Sequence, residues 1–114
     1  MDYLSNILEA SLKGLKSIQS EFDIYQKGYF PERIPAFFSL ELCGEAGELA
    51  NAEKKLWKGK NIDKGLIEDE AADVFITLMN YCNSRDIDLG KAVKNKLEII
   101  DGKRLKLNAK GEDY

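Results

Sequence analysis

The segment Glu70-Ala71-Ala72-Asp73-Val74-Phe75-Ile76-Thr77-Leu78-Met79-Asn80-Tyr81-Cys82 carries apolar residues almost all the way round a helix. Ala71, Ala72, Val74, Phe75, Ile76, Leu78, Met79, Tyr81 and Cys82 leave little room for a polar face. A helix apolar on every side is one that other elements enclose. The segment is therefore expected to be central. Glu70 and Asp73 contradict that setting, because burying an ionised carboxylate without a partner is very costly. The two acids require a cation, either a basic side chain or a metal.

Outward from this segment the helical period continues on both sides. One helix is expected over about Tyr3 to Gln26, where Leu4, Leu8, Leu12, Leu15, Ile18 and Phe22 recur three or four apart. A second is expected from Pro35, a favourable first-turn residue, to Trp57. The third runs from about Asp63, a candidate cap, to Ser84, and the fourth from about Asp88 to Lys106. Gly28 with Pro31 and Pro35, then Gly59 to Gly65, then Arg85 to Asp88 punctuate the chain. No window alternates as a strand would. The expected class is all-α: an antiparallel four-helix bundle forming a single domain over residues 1–107, with a polar tail over 108–114.

Composition narrows the chemistry. The chain has 114 residues, a net charge of −3 and no histidine. Histidine-based acid–base catalysis, Ser-His and Cys-His dyads and imidazole metal sites are excluded. Cys43 and Cys82 sit in apolar helical surroundings and read as buried small hydrophobes rather than a disulfide or zinc framework. The acidic balance does not favour a nucleic-acid partner. No apolar run reaches the roughly 20 residues of a membrane span. The opening residues lack the basic region of a signal peptide, so a cytoplasmic location is expected.

Glu41, Glu45 and Glu48 fall at i, i+4 and i+7 on the second helix and share one face. Like charges so spaced repel, and Gly44 and Gly47 between them each cost up to about 1 kcal/mol against alanine. Glu70 and Asp73 form an i, i+3 pair on the third helix. If the two helices are antiparallel neighbours, the acids converge into an all-oxygen site for a hard cation, Mg²⁺ above all. Read from the residues alone, the acidic row is either an ordinary solvated face or half of that site. A di-iron bundle is disfavoured, because its Glu-x-x-His motifs have no counterpart.

Gly44-Glu45-Ala46-Gly47-Glu48-Leu49, then Glu70-Ala71-Ala72-Asp73-Val74, then Asp86-Ile87-Asp88-Leu89-Gly90-Lys91-Ala92-Val93 together resemble the MazG-like all-α nucleoside triphosphate pyrophosphohydrolases, with similarity over roughly Leu40 to Arg104. The resemblance implies Mg²⁺ ligands at Glu45, Glu48, Glu70 and Asp73, with Mn²⁺ as a possible substitute. It implies hydrolysis of a (d)NTP to a nucleoside monophosphate and pyrophosphate by a metal-activated water, in a homodimer or higher homo-oligomer. Two departures stand out. Gly44 replaces the first glutamate of the family's adjacent pair, and Ile100 or Asp101 replaces an asparagine common after the Lys96 position. Glu41, on the face of Glu45, is the residue placed to compensate, so Glu41 and Glu45 are the catalytic candidates.

A triphosphate also needs cations. Lys55, Lys58, Lys96 and Arg104 are the candidates, Lys96 matching a phosphate-reaching family position, although most lysines are plain surface residues. Trp57 is either a base-stacking residue or a core or interface aromatic. Thr77, one turn beyond Asp73, is a candidate pocket-lining residue. The expected role is removal of non-standard or surplus nucleotides. The rival enzyme reading is a pyrophosphohydrolase acting on phosphoribosyl-ATP. The rival class is a catalytically weakened module that binds nucleotides or a protein partner.

Overall fold

The computed structural model describes residues 2–114. Among them every regular element is helical: α1 (Tyr3–Ala10), a π turn (Ser11–Leu15), α2 (Lys16–Tyr29), α3 (Pro35–Trp57), α4 (Lys64–Ser84) and α5 (Leu89–Ala109). The all-α expectation holds. α3 has the expected bounds, and Asp63 and Asp88 cap α4 and α5 by accepting from the Gly65 and Lys91 amides. Satisfying a first-turn N–H in this way is worth about 1 kcal/mol per cap.

The first helical segment differs from expectation. It reaches Tyr29 rather than Gln26 and contains the π turn. α5 extends three residues beyond Lys106. No described helix is long and apolar enough to cross a membrane.

The chain divides into two compact units. One comprises the residues up to Glu21 together with Ile87–Tyr114. Here α5 packs on α1 and the π turn. Buried Gly90 lies against the Ser11 backbone, where a Cβ would stand 2.5 Å from the Ser11 carbonyl oxygen. Buried Gln19 donates to Ile87 O at 2.6 Å and accepts from Leu89 N at 3.0 Å. A side-chain amide thus supplies the partners that the backbone loses as it turns into α5.

The other unit, Phe22–Asp86, is built on the α3–α4 hairpin. Gly59, at φ +84°, permits the left-handed turn that ends α3. Asp86, at φ 54°, does the same after α4, in a region that aspartate tolerates. Phe38, Ala52, Met79 and Cys82 are the buried apolar residues.

Two expectations need correction. α4 is not enclosed on all sides, since Ala71, Ala72, Phe75 and Ile76 are exposed while Thr77, Met79, Asn80 and Cys82 are buried. An all-round apolar pattern reports every surface a helix must cover, and one chain covers only part of it. Cys43 is exposed rather than buried, on a stripe with Leu40, Gly44 and Gly47. Only Cys82 is buried, and burial pushes its thiol pKa up.

Candidate metal centre

The acids of α3 and α4 meet because one antiparallel register places Glu48 opposite Glu70 and Glu45 opposite Asp73. Glu45, Glu70 and Asp73 each offer one carboxylate oxygen, all within 4.8 Å of one another. Opposite ligands of an octahedral Mg²⁺ stand about 4.2 Å apart and those of Ca²⁺ about 4.8 Å, so small side-chain rotations suffice to close the set. Glu48 stands outside that set of three, and it is exposed, but it neighbours both Glu45 and Glu70 closely enough to push their pKa values up.

The electrostatics show what is missing. Glu45 and Glu70 are half-buried, and their Oε2 atoms are inaccessible with no hydrogen-bond partner. Among the described residues, the ion pairs are Lys13–Glu9, Lys27–Asp23, Lys64–Glu68, Lys94–Glu98 and Arg104–Asp101. None involves Glu45, Glu48, Glu70 or Asp73. Of the two cations the sequence allows, the basic side chain is therefore not supplied. An all-oxygen donor set with two orphaned buried oxygens fits a hard divalent metal.

Burial raises the Glu45 pKa above the ordinary 4.5, with the charges of Glu48, Asp73 and Glu41 adding to the shift. Burial also raises that of Glu70, followed by its contact with Glu48 and the charges of Glu45 and Asp73. Both acids hold their protons more tightly in the fold than in the unfolded chain. Their contribution to stability is thus fully present below about pH 4.5 and is lost as pH rises through the higher folded-state values. Melts of the metal-free chain are expected to show these two acids adding stability as pH is lowered towards 4.5. Millimolar Mg²⁺ should flatten that trend and release protons, because ligand carboxylates bind metal only when ionised. A pH-independent Mg²⁺ effect would contradict this assignment.

The remaining candidates fall in different places. Glu41 is exposed, one turn from Glu45. Buried Thr77 turns its hydroxyl to its own helix, donating to Asp73 O at 2.9 Å and lying 3.1 Å from Val74 O. Lys55 lines a small cleft of about 170 Å³ with Asn51, Glu48 and Glu70. Trp57 is 84% exposed at the end of α3, outside the core of the chain, and Lys58 caps that helix. Lys96 and Arg104 belong to α5 in the other unit, where Arg104 pairs with Asp101 at 2.9 Å.

Sequence reasoning missed a larger cleft of about 770 Å³, lined by Phe30, Pro31, Ile34, Phe38, Asn80 and Asn83 among others. The available signal was Asn80, a polar residue inside the apolar run and seven positions beyond Asp73. Compared with protein-family models, curated proteins and solved structures, the chain gives no match.

Proposed function

We propose that this chain is a Mg²⁺-dependent nucleoside triphosphate pyrophosphohydrolase of the MazG-like kind, converting a (d)NTP to a (d)NMP and pyrophosphate in cytoplasmic nucleotide-pool housecleaning. The observation that carries the reading is the oxygen cluster of Glu45, Glu70 and Asp73, extended by Glu48, with two orphaned buried oxygens and no basic partner. Its ordered acids are also the residues on which the family resemblance rests.

Glu45, Glu48, Glu70 and Asp73 would hold the metal. When bound, a divalent cation supplies Lewis-acid stabilisation of charge on the phosphoryl oxygens and lowers the pKa of water. Glu41, exposed and one turn from Glu45, accepts the proton of the attacking water and stands in for the acid absent at Gly44. Lys55, on the cleft shared with Glu48 and Glu70, offsets charge on the departing pyrophosphate. Lys58, Lys96, Arg104 and Trp57 serve the substrate only as the assembled protein brings them to it.

The proposed assembly is a homodimer of four-helix bundles. Its support is the exposed apolar stripe of Leu40, Cys43, Gly44 and Gly47 on α3, with Ala71, Ala72, Phe75 and Ile76 on α4. Exposed apolar stripes on two adjoining helices are surfaces that a second copy could cover. The same stripe, with Gly44, favours the second reading, a module that binds a nucleotide or protein without turning it over.

Product analysis on a panel of NTPs and dNTPs separates the two. Monophosphate plus pyrophosphate, abolished by chelation and restored by Mg²⁺ or Mn²⁺, is the expected result. Orthophosphate as the product would sink the α–β assignment. No turnover on any member would favour the binding module.

A further inference from the structure

The larger cleft lies on the same helical stripes as the acids. Seven residues make two helical turns, about 10 Å, with only a small angular drift. Seven back from Glu45 on α3 is Phe38, and seven on from Asp73 on α4 is Asn80. Both line the cleft, and both are buried, at 6% and 8% exposure. The cleft is therefore the next station along the hairpin from the carboxylate cluster, and it lies on the side opposite the small cleft of Lys55.

Asn80 is the unexplained group in it. Its side-chain amide makes no hydrogen bond among the described residues, although the residue is more than nine-tenths buried. Its amide atoms are not among the sealed, unpartnered ones, which are Glu45 Oε2 and Glu70 Oε2, so the amide faces the cleft and is free to pair there. Phe38, Phe30, Pro31 and Ile34 give the cleft one apolar side, and the rest of its lining is mostly polar or charged, with Lys27, Arg33, Glu32 and Asp86 among it. An amide offers a donor and an acceptor side by side. A pocket with an apolar side and a buried amide within an otherwise polar lining fits a planar heterocycle that presents a complementary edge.

We propose that this cleft takes the nucleobase of the nucleotide whose phosphates sit at the carboxylate cluster, and that Asn80 is its specificity-determining residue. The substrate would then lie along the hairpin with its base towards Phe38 and Asn80 and its terminal phosphates towards Lys55. The assignment rests on the hydrolase reading for the identity of the phosphate end, but the base site can be tested without it.

The test is to titrate the isotope-labelled full chain with adenosine, guanosine, cytidine, uridine and thymidine, in the absence of metal and phosphate. At least one nucleoside is expected to shift the Asn80 side-chain amide resonances saturably. Asn80→Asp and Asn80→Leu should weaken that binding by about tenfold, the scale of one or two hydrogen bonds. No nucleoside moving the Asn80 signals overturns the proposal. So does hydrolysis of NTPs whose order of base preference is the same in Asn80→Asp as in the wild type. That last outcome leaves the hydrolase reading standing. Nucleoside binding at Asn80 with no triphosphate turnover would keep the base site and remove the hydrolase.

Discussion

Replacing Glu70 with glutamine is expected to make the metal-free protein more stable at neutral pH while abolishing its response to Mg²⁺. The two effects share one cause. Burial and the neighbouring Glu48, Glu45 and Asp73 make ionisation of Glu70 unfavourable in the fold. The amide removes that penalty and keeps the shape. It also removes an anionic ligand from a set of three oxygens within 4.8 Å. Turnover at millimolar Mg²⁺ should fall by about a thousandfold, the scale on which loss of a preorganised charge-stabilising group acts. Glu45→Gln should behave alike, because its Oε2 is orphaned in the same way. The gain in apo stability should shrink as pH falls towards 4.5, where the wild-type carboxyl is itself protonated. Thermal melts with and without Mg²⁺ across pH, alongside pyrophosphate release, read both effects. A variant that loses apo stability at pH 7 would show that the acid is held by structure rather than kept for a cation. Stability given up for a charged site is common where function requires it.

Gly90→Ala is expected to destabilise the fold, although alanine is the better helix former. The added Cβ would stand 2.5 Å from the Ser11 carbonyl oxygen, 3.4 Å from the Ser11 carbonyl carbon and 3.5 Å from the Leu12 Cα. All three are backbone atoms, so no rotamer change relieves the contact. Alanine should gain up to about 1 kcal/mol from helix propensity, but overpacking a tight contact costs about 1–3 kcal/mol. A net loss of about 1–2 kcal/mol is expected, which lowers Tm by roughly 5–10 °C in a chain of this size. Gly102, on the same helix, has nothing within 4 Å of its would-be Cβ. Gly102→Ala should therefore raise Tm slightly, by the propensity term of about 0.5–1 kcal/mol alone. Equal effects at the two glycines in thermal unfolding would show that the Ser11 contact yields easily.

The grouping of Glu45, Glu70 and Asp73 was legible because the spacings behind it are local. The i, i+4 and i+7 spacing of Glu41, Glu45 and Glu48 and the i, i+3 spacing of Glu70 and Asp73 are consequences of helical periodicity. Of the two acids in the apolar helix, Glu70 is half-buried with an orphaned oxygen, whereas Asp73 stays exposed and is solvated without a cation. The neighbourhood of the candidate cations was not legible. Lys55 reaches a cleft with Glu48 and Glu70 because it lies about two turns along the same helix from Glu48, whereas Trp57, close by in sequence, points into solvent. Thr77 donates its hydroxyl proton to its own helix backbone, a choice of rotamer that depends on packing and is not written in the sequence.

What this chain's sequence determined by itself was the helical class, the helix starts at Pro35, Asp63 and Asp88, and the grouping of the acids on two faces. These follow from propensity, capping and period, which act within a few residues. The tertiary structure alone decided which acids lost their solvent, why Gly90 cannot carry a side chain, and that Phe38 and Asn80 line one cleft. It also decided that half of an apolar helix stays exposed. Those outcomes depend on which surfaces meet across long sequence separations, and a hydrophobic pattern records that a surface needs cover without recording what covers it.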